Sequence, residues 1–158
     1  MTENERRLRE VIDGLRGKWG SFPERIRDLP GIPYPDVDSL RAAISGGQVV
    51  LQRFSYEYGP TIFSLFATRQ EQAYLKFIRV VGFAGPAVGI VLAFTHRWWW
   101  LIPGVLTALL VMREHKKVYN NVIYRGALGS EEGFCFLYRV KQVCLTSPDS
   151  RTSLYWRE

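Results

Sequence analysis

The sequence predicts a membrane α+β protein: a two-helix transmembrane hairpin, short amphipathic helices before it, and a small antiparallel β domain built from segments on both sides of the hairpin. Three observations predict this class. Two adjacent apolar runs lie in the middle of the 158-residue chain, basic residues crowd one side of them, and β-branched and aromatic stretches with turn signals precede and follow them. The regions are a helical segment at 1–47, strands at 48–73, transmembrane helices at 74–95 and 98–117, and a β-rich part at 118–158.

The N-terminal segment, 1–47, is predicted to form short helices. Its first helix has apolar residues on one face: Leu8, Val11, Ile12, Leu15 and Trp19. The opposite face mixes acidic and basic residues, which favours packing on the protein's own soluble part, although the helix could also lie on a membrane surface or bind a partner. The segment has neither a secretory signal nor an acid-poor transit sequence.

The β domain is predicted from two parts of the chain that the hairpin separates. The stretches rich in β-branched and aromatic residues are 48–58, 61–68, 118–125, 133–146 and 151–156. Glycine, proline, serine and aspartate lie between them and indicate turns. Strands from before and after the hairpin are expected to join into one sheet.

The hairpin is predicted from two uncharged runs, 16 residues at 80–95 and 15 residues at 98–112. Each is shorter than the roughly 20 residues that span a bilayer. The first can be extended because the long stems of Lys76 and Arg79 can reach the headgroups. The alternative is a buried hairpin in a soluble protein, but the remaining sequence is too polar to cover two helices that are apolar on every side.

Small residues are predicted to form a helix-packing face on the hairpin. They are Gly82, Gly85, Gly89 and Ala93 on the first helix, and Gly104 and Ala108 on the second. Their spacing of three or four residues places them on one side of a helix, where they let two backbones approach closely. The face could serve oligomerisation or docking to another subunit, or it could pack only the hairpin's own two helices.

The charged and aromatic flanks predict the orientation of the hairpin. Six basic residues flank the ends that meet at its open side: Arg69, Lys76, Arg79, Arg113, Lys116 and Lys117. The turn has only His96 and Arg97, followed by Trp98, Trp99 and Trp100, which suit a membrane interface. Both termini are therefore expected on the cytoplasmic or matrix side of a bacterial or organellar inner membrane. Lys116 and Lys117 could also bind anionic lipid headgroups.

The net charge of +6 follows from this arrangement and does not call for a nucleic-acid partner. Residues 1–73 have ten basic and ten acidic side chains, whereas 74–112 have three basic and none acidic, and 113–158 have eight basic and five acidic. The excess thus lies within and after the hairpin, where topology accounts for it. We expect membrane lipids as partners and no nucleic acid.

No residue pattern indicates a cofactor or a catalytic centre. His96 and His115 would lie roughly 28 Å apart along a helix, so they cannot ligate one haem. Cys135 and Cys144 are nine residues apart, which on one strand points them to opposite faces, and no CxxC motif exists. We expect no metal, no cofactor and no enzymatic activity.

Two functions fit these expectations. The first is an accessory, structural or assembly subunit of a larger membrane complex, for example a respiratory-chain or other energy-transducing complex, or a transport complex. The second is a membrane effector that self-associates through the glycines of its hairpin and perturbs the bilayer.

Overall fold

The computed structural model describes residues 6, 9–14, 23–53, 59–148 and 153–154, and all structural statements refer to these. The chain is mostly helical, with helical residues at 9–14. The helices are α1 (Val37–Ser45), α2 (Gly59–Phe66), α3 (Arg69–Thr95), α4 (Leu101–Gly129) and α5 (Glu131–Arg139), and the strands are β1 (Val50–Arg53), β2 (Val143–Thr146) and β3 (Ser153–Leu154). Two 3-10 turns lie at Ile26–Asp28 and Trp98–Trp100.

The chain divides into two compact units. One consists of Ala67–Val122 and is called the hairpin unit; the other combines Met1–Phe66 with Ile123–Glu158 and is called the sheet unit. Helix α4 belongs to both, because its residues from Ile123 onward are counted in the sheet unit. The amino-acid chain therefore enters and leaves the hairpin unit through the sheet unit.

The sheet joins a strand from before the hairpin to strands from after it. β1 pairs with β2 in antiparallel register, with Val50 opposite Thr146 and Arg53 opposite Val143. β2 is central, because β3 pairs with its other edge. The prediction that both sides of the hairpin contribute to one antiparallel sheet is confirmed, although this sheet is smaller than expected.

Helix α5 supplies much of the core of the sheet unit. Every residue from Gly133 to Tyr138 is buried, so this helix is covered on all sides. Its first turn is capped by Ser130, whose hydroxyl accepts a hydrogen bond from the backbone N–H of Gly133 at 3.1 Å. Ile26 and Leu40, from segments before the hairpin, are also fully buried in this unit.

Three of the predicted strands are helical instead. Residues 61–68 lie mainly in α2, 118–125 lie within α4, and the part of 133–146 up to Arg139 forms α5. Strand propensity was misleading here because it reflects packing on a half-buried pleated surface, whereas these apolar residues pack around helices. The β-rich prediction for 118–158 therefore holds only for β2 and β3 among the described residues.

Other predictions at the edges are corrected or fall outside the described residues. The first long helix begins at Arg69 instead of 74, because Thr68 and Glu71 form a capping box. The second predicted helix, 98–117, starts with a 3-10 turn and continues to Gly129. Residues 54–58 and most of 151–156 lie outside the described residues, as do Leu8, Leu15 and Trp19; Val11 is half-buried and Ile12 is buried.

Candidate membrane-interaction surface

Helices α3 and α4 pack against each other as an antiparallel hairpin, and glycines form the contact. A Cβ atom added to Gly82 would lie 2.7 Å from Cγ1 of Val111, and one added to Gly85 would lie 2.7 Å from Cγ2 of Thr107. At Gly89 the added atom would lie 3.1 Å from the Cα of Gly104. As the residue number rises on α3, the partner's number falls on α4, which defines an antiparallel register.

The predicted helix-packing face therefore lies inside the hairpin. Gly89 and Gly104 are buried, and Ala93 and Ala108 are half-buried. Of the two interpretations that the sequence left open, the geometry places Gly82, Gly85 and Gly89 against the hairpin's own second helix.

The outer surface of the hairpin is apolar and exposed, and we call it the apolar band. It consists of the exposed large apolar side chains Tyr74, Phe77, Val80, Phe83, Val88, Ile90, Val91, Phe94, Trp98, Trp99, Trp100, Leu101, Ile102, Val105, Leu106, Leu109, Leu110 and Met112. Phe94 is 88% exposed and Phe83 is 80% exposed. Among the described residues, Val50 is the one other large apolar side chain of this kind. Exposure of this extent marks an interaction surface for a membrane or a protein.

One helix of the hairpin is long and apolar enough to cross a membrane. α3 contains an 18-residue window of mean hydropathy 2.0, of which only 11% is buried. A core helix of a soluble protein would be mostly buried, whereas this window of α3 is mostly exposed. α4 does not qualify as a span within the described residues, because charged residues at Arg113, Glu114 and Lys116 follow its apolar part closely. A hairpin is thus present, but a second span is not shown.

The six basic residues that flank the hairpin are all exposed, and we call them the basic mouth: Arg69, Lys76, Arg79, Arg113, Lys116 and Lys117. The contact of Gly82 with Val111 brings Arg79 on α3 to nearly the same level as Arg113 on α4, because each lies two or three residues beyond that contact. The cations of both helices therefore lie at one end of the apolar band.

The opposite end of the band is the turn that joins the two helices. The guanidinium of Arg97 lies 5.7 Å from the ring centre of Trp99, at cation–π distance. A ring nitrogen of His96, Nδ1, lies 3.0 Å from the hydroxyl oxygen of Thr95. Trp98 is 74% exposed. The turn therefore presents indoles and two polar side chains together, as an interfacial segment does.

An apolar groove of about 350 Å³ runs along the contact between α3 and α4. Its walls include Val81, Val88 and Leu92 from α3, and Trp100 and Pro103 from α4. Thr107 also lines it, but its hydroxyl donates a hydrogen bond to the carbonyl of Pro103 at 2.8 Å. A smaller depression of about 250 Å³ lies on the hairpin unit beside Glu71, Tyr74 and Asn121.

The residues considered for cofactor chemistry lie apart. His96 directly follows α3 as its C-cap, whereas His115 stacks on Tyr119 within α4 at a centroid distance of 6.3 Å. Among the described residues, no group of three or more His, Cys, Asp and Glu side chains could hold a metal ion. The arrangement assembles no ligand set from the residues that the sequence singled out.

Both cysteines are buried free thiols, and they lie on different elements instead of one strand. Cys135 lies in α5 and Cys144 lies in β2. Burial, followed by the negative charges of Glu131 and Asp28, raises the pKa of Cys135 from 9.0 to about 12. Burial also raises the pKa of Cys144. Neither thiol is activated as a nucleophile, because both are held in the protonated form at neutral pH.

Sequence reasoning found the glycine face, the tryptophan turn and the basic mouth, but it missed the residues that meet the glycines. Thr107 and Val111 on α4 pack against Gly85 and Gly82. Their positions depend on the register between the two helices, for which the length of the turn was the available signal.

Comparisons with protein-family models, with curated proteins and with solved structures give no significant match.

Proposed function

We propose that this chain is a non-catalytic integral membrane protein, and that it serves as an accessory, structural or assembly subunit of a larger membrane complex. The complex would be an energy-transducing assembly, such as one of the respiratory chain, or a transport assembly. The apolar band carries the proposal, because so many large apolar side chains on two packed helices are unfavourable in water. Lipid or a neighbouring subunit would cover them.

In this proposal both helices of the hairpin cross the membrane, although α4 has a shorter apolar part than α3. Packing against α3 supports the insertion of α4, since the two helices enter as one unit. The basic mouth favours the cytoplasmic or matrix side, and the turn faces the other side. Both termini would then lie on the cytoplasmic or matrix side of a bacterial or organellar inner membrane.

The subunit role is favoured over a self-associating effector by the position of the glycines. An effector that oligomerises through Gly85 and Gly89 needs this face to be free, but Thr107 and Gly104 already cover it. A new partner would have to use the outer surface or the groove. These surfaces are apolar and could contact other membrane proteins of a complex.

Membrane insertion is tested by fractionating cells that produce the full chain. We expect the protein in the membrane fraction, resistant to alkaline carbonate and released by detergent. Reporter fusions at the two termini and in the His96–Arg97 turn give the topology: the two terminal reporters should respond as cytoplasmic or matrix-side reporters, and the turn reporter should not. Recovery in the soluble fraction without detergent would overturn the proposal.

The subunit role is tested by purification in a mild detergent followed by native mass measurement. Co-purification of a reproducible set of different membrane proteins is the expected result. A homo-oligomer without other proteins would favour the effector instead. The same purification is then repeated with a variant in which Phe83 and Phe94 are changed to Ala. This variant should still insert into the membrane, but the contacts made by the exposed face of α3 should be weaker.

A further inference from the structure

We propose that the hairpin is matched to a thin bilayer, with a hydrocarbon core about 22 to 25 Å thick, instead of the roughly 30 Å of an average membrane. This inference rests on the proposed membrane insertion and specifies which bilayer the apolar band fits. Its basis is the length of the uncharged part of the band, which is measured separately on each of the two helices.

On α3 the uncharged part of the apolar band lies between Arg79 and His96, whereas Tyr74 and Phe77 lie beyond Arg79, among the cations of the basic mouth. From Val80 to Thr95 there are 15 steps along the helix, which correspond to a length of about 22 Å. Arg79 is exposed and marks the end of this part at the basic mouth.

On α4 the length is made up differently but comes to the same value. Leu101 to Met112 spans 11 helical steps, or about 17 Å. The 3-10 turn Trp98–Trp100 adds about 6 Å, because each of its residues rises about 2 Å. The sum, about 23 Å, ends at the exposed Arg113.

The ends of the band are level on the two helices, as a flat lipid interface requires. The contact between Gly82 and Val111 places Arg79 and Arg113 at nearly the same height. Lys76, Lys116 and Lys117 lie just beyond and are exposed. No ion pair joins these five cations to another described residue, so they are available to anionic headgroups. This charge complementarity identifies a lipid bilayer as the occupant of the outer surface.

In an average bilayer the band would fall several ångströms short. Long Arg and Lys stems can reach towards the headgroups, and the bilayer can thin locally, but both adjustments are unfavourable and grow with the mismatch. A tilt of the hairpin would shorten its reach further. The hairpin should therefore insert best into membranes with short acyl chains.

The test is reconstitution of the full chain into vesicles of phosphatidylcholine and phosphatidylglycerol with monounsaturated chains of about 14 to about 22 carbons. The first readout is the fraction of protein that floats with the vesicles after an alkaline wash. We expect the highest fraction with the shortest chains and a loss of roughly tenfold with the longest chains.

The second readout is the tryptophan fluorescence of the turn. The chain has five tryptophans, so Trp19→Phe with Trp156→Phe leaves Trp98, Trp99 and Trp100 as the reporters. In short-chain vesicles these indoles should reach the far interface and be accessible to an aqueous quencher. In long-chain vesicles they should remain in the hydrocarbon and be protected.

A variant with a longer apolar band makes the test specific. Arg79→Leu with Arg113→Leu and Glu114→Leu moves the first charges to Lys76 and Lys116, which lengthens the uncharged part by about 4.5 Å on each helix. The optimum should move to bilayers thicker by about this amount. Arg25→Leu with Arg27→Leu and Asp28→Leu is the matched control, because all three residues are exposed in the sheet unit and the change in charge is the same. The control should keep the original optimum.

The possible failures are distinguishable. Insertion that does not depend on chain length, or that improves in thick bilayers, overturns the inference while leaving the proposed membrane insertion intact. The same holds if the optimum of the long-band variant does not move. Failure to insert into any of the vesicles overturns the proposed function and this inference with it.

Discussion

At the scale of single residues, two glycines allow elements of the sheet unit to approach closely. A Cβ atom on Gly126 of α4 would lie 2.5 Å from the ring of Phe66, at the end of α2. A Cβ atom on Gly133 of α5 would lie 2.5 Å from the carbonyl oxygen of Gly126. The three helices thus meet where side chains are absent.

We predict that alanine at either of these glycines destabilises the sheet unit. Gly133→Ala should lower the free energy of unfolding by about 1 to 3 kcal/mol, because the methyl group would meet a backbone carbonyl that can move only with its helix. Gly126→Ala should cost a similar amount, because the methyl group would lie 2.6 Å from Cγ of Phe66, an atom that rotation of the ring does not move. Denaturant unfolding of the chain in detergent, followed by circular dichroism, measures both effects.

Gly129 is the matched control, because it lies on α4, as Gly126 does, and nothing lies within 4 Å of the position of its Cβ. Gly129→Ala should leave the stability unchanged or raise it by up to about 1 kcal/mol, through the better helix propensity of alanine. Equal destabilisation by all three substitutions would show that close packing is not the cause.

The buried thiol of Cys135 should make the sheet unit sensitive to alkali. Its pKa is raised in the folded state, from 9.0 to about 12, so the folded protein binds this proton more tightly than the unfolded chain does. The resulting stabilisation is complete below pH 9 and is lost as the pH rises from about 9 to about 12. Unfolding curves are measured at pH 8, 9.5 and 10.5 for the unmodified protein and for Cys135→Ala. The free energy of unfolding should decrease more steeply with rising pH in the unmodified protein than in the variant. Parallel curves would contradict the assignment.

At the scale of elements, the contact between α3 and α4 is the feature most open to a direct test. Gly89 faces the backbone of α4: its added Cβ would lie 3.0 Å from the carbonyl oxygen of Trp100 and 3.1 Å from the Cα of Gly104. Leucine at this position has no space unless the helices separate. Ala87, two residues earlier, is exposed and serves as a control for the added bulk.

We predict that Gly89→Leu opens the hairpin and that Ala87→Leu does not. Spin labels at Val91 and Ile102, which are both exposed and lie near the same level by the observed register, report the distance between the helices. The labels would attach to introduced cysteines, since Cys135 and Cys144 are buried. Gly89→Leu should lengthen the distance by several ångströms, in line with the size of the inserted side chain. An unchanged distance would mean that α4 is held by other contacts.

The sequence was a good guide to the hairpin and a poor one to the elements after it. The spacing of Gly82, Gly85 and Gly89 identified a packing face because small residues at helical spacing have few other uses in an apolar helix. The sequence of α4 also has a helical period, since Tyr119, Val122 and Ile123 are buried and follow helical spacing. The strand prediction there relied on β-branched and aromatic residue types instead, and residue type is the weaker signal.

Helix α5 could not have been identified by periodicity. Its residues from Gly133 to Tyr138 are all buried, so they show neither the helical nor the strand period. The signal that remained was Ser130 followed by Glu131 and Glu132, which is typical of the start of a helix. The contact of Gly133 with Gly126 depends on tertiary packing and has no local signature.

At the scale of the whole molecule, apolar exposure is divided unequally between the two units. Within the described residues, Val50 is the one exposed large apolar side chain of the sheet unit, whereas the apolar band belongs to the hairpin unit. The sheet unit also contains the small sheet, α5 and the two free thiols. The exposed large apolar surface of the described residues therefore lies almost entirely on the hairpin unit, which is the part that we propose to be in contact with lipid.

We therefore predict that the sheet unit folds and remains in solution when residues 67–122 are replaced by a short Gly/Ser linker. The linker that connects Phe66 to Ile123 can be short, because a guanidinium nitrogen of the nearby Arg125 donates a hydrogen bond to the carbonyl of Phe66 at 3.2 Å. The shortened chain should elute as a monomer in gel filtration without detergent and should show cooperative unfolding, while the full chain should aggregate under the same conditions. Gly133→Ala introduced into the shortened chain should lower its unfolding midpoint, as in the full chain, if the same core has formed. Aggregation of the shortened chain, or an unfolding midpoint that does not respond to Gly133→Ala, would mean that the sheet unit depends on the hairpin for its fold.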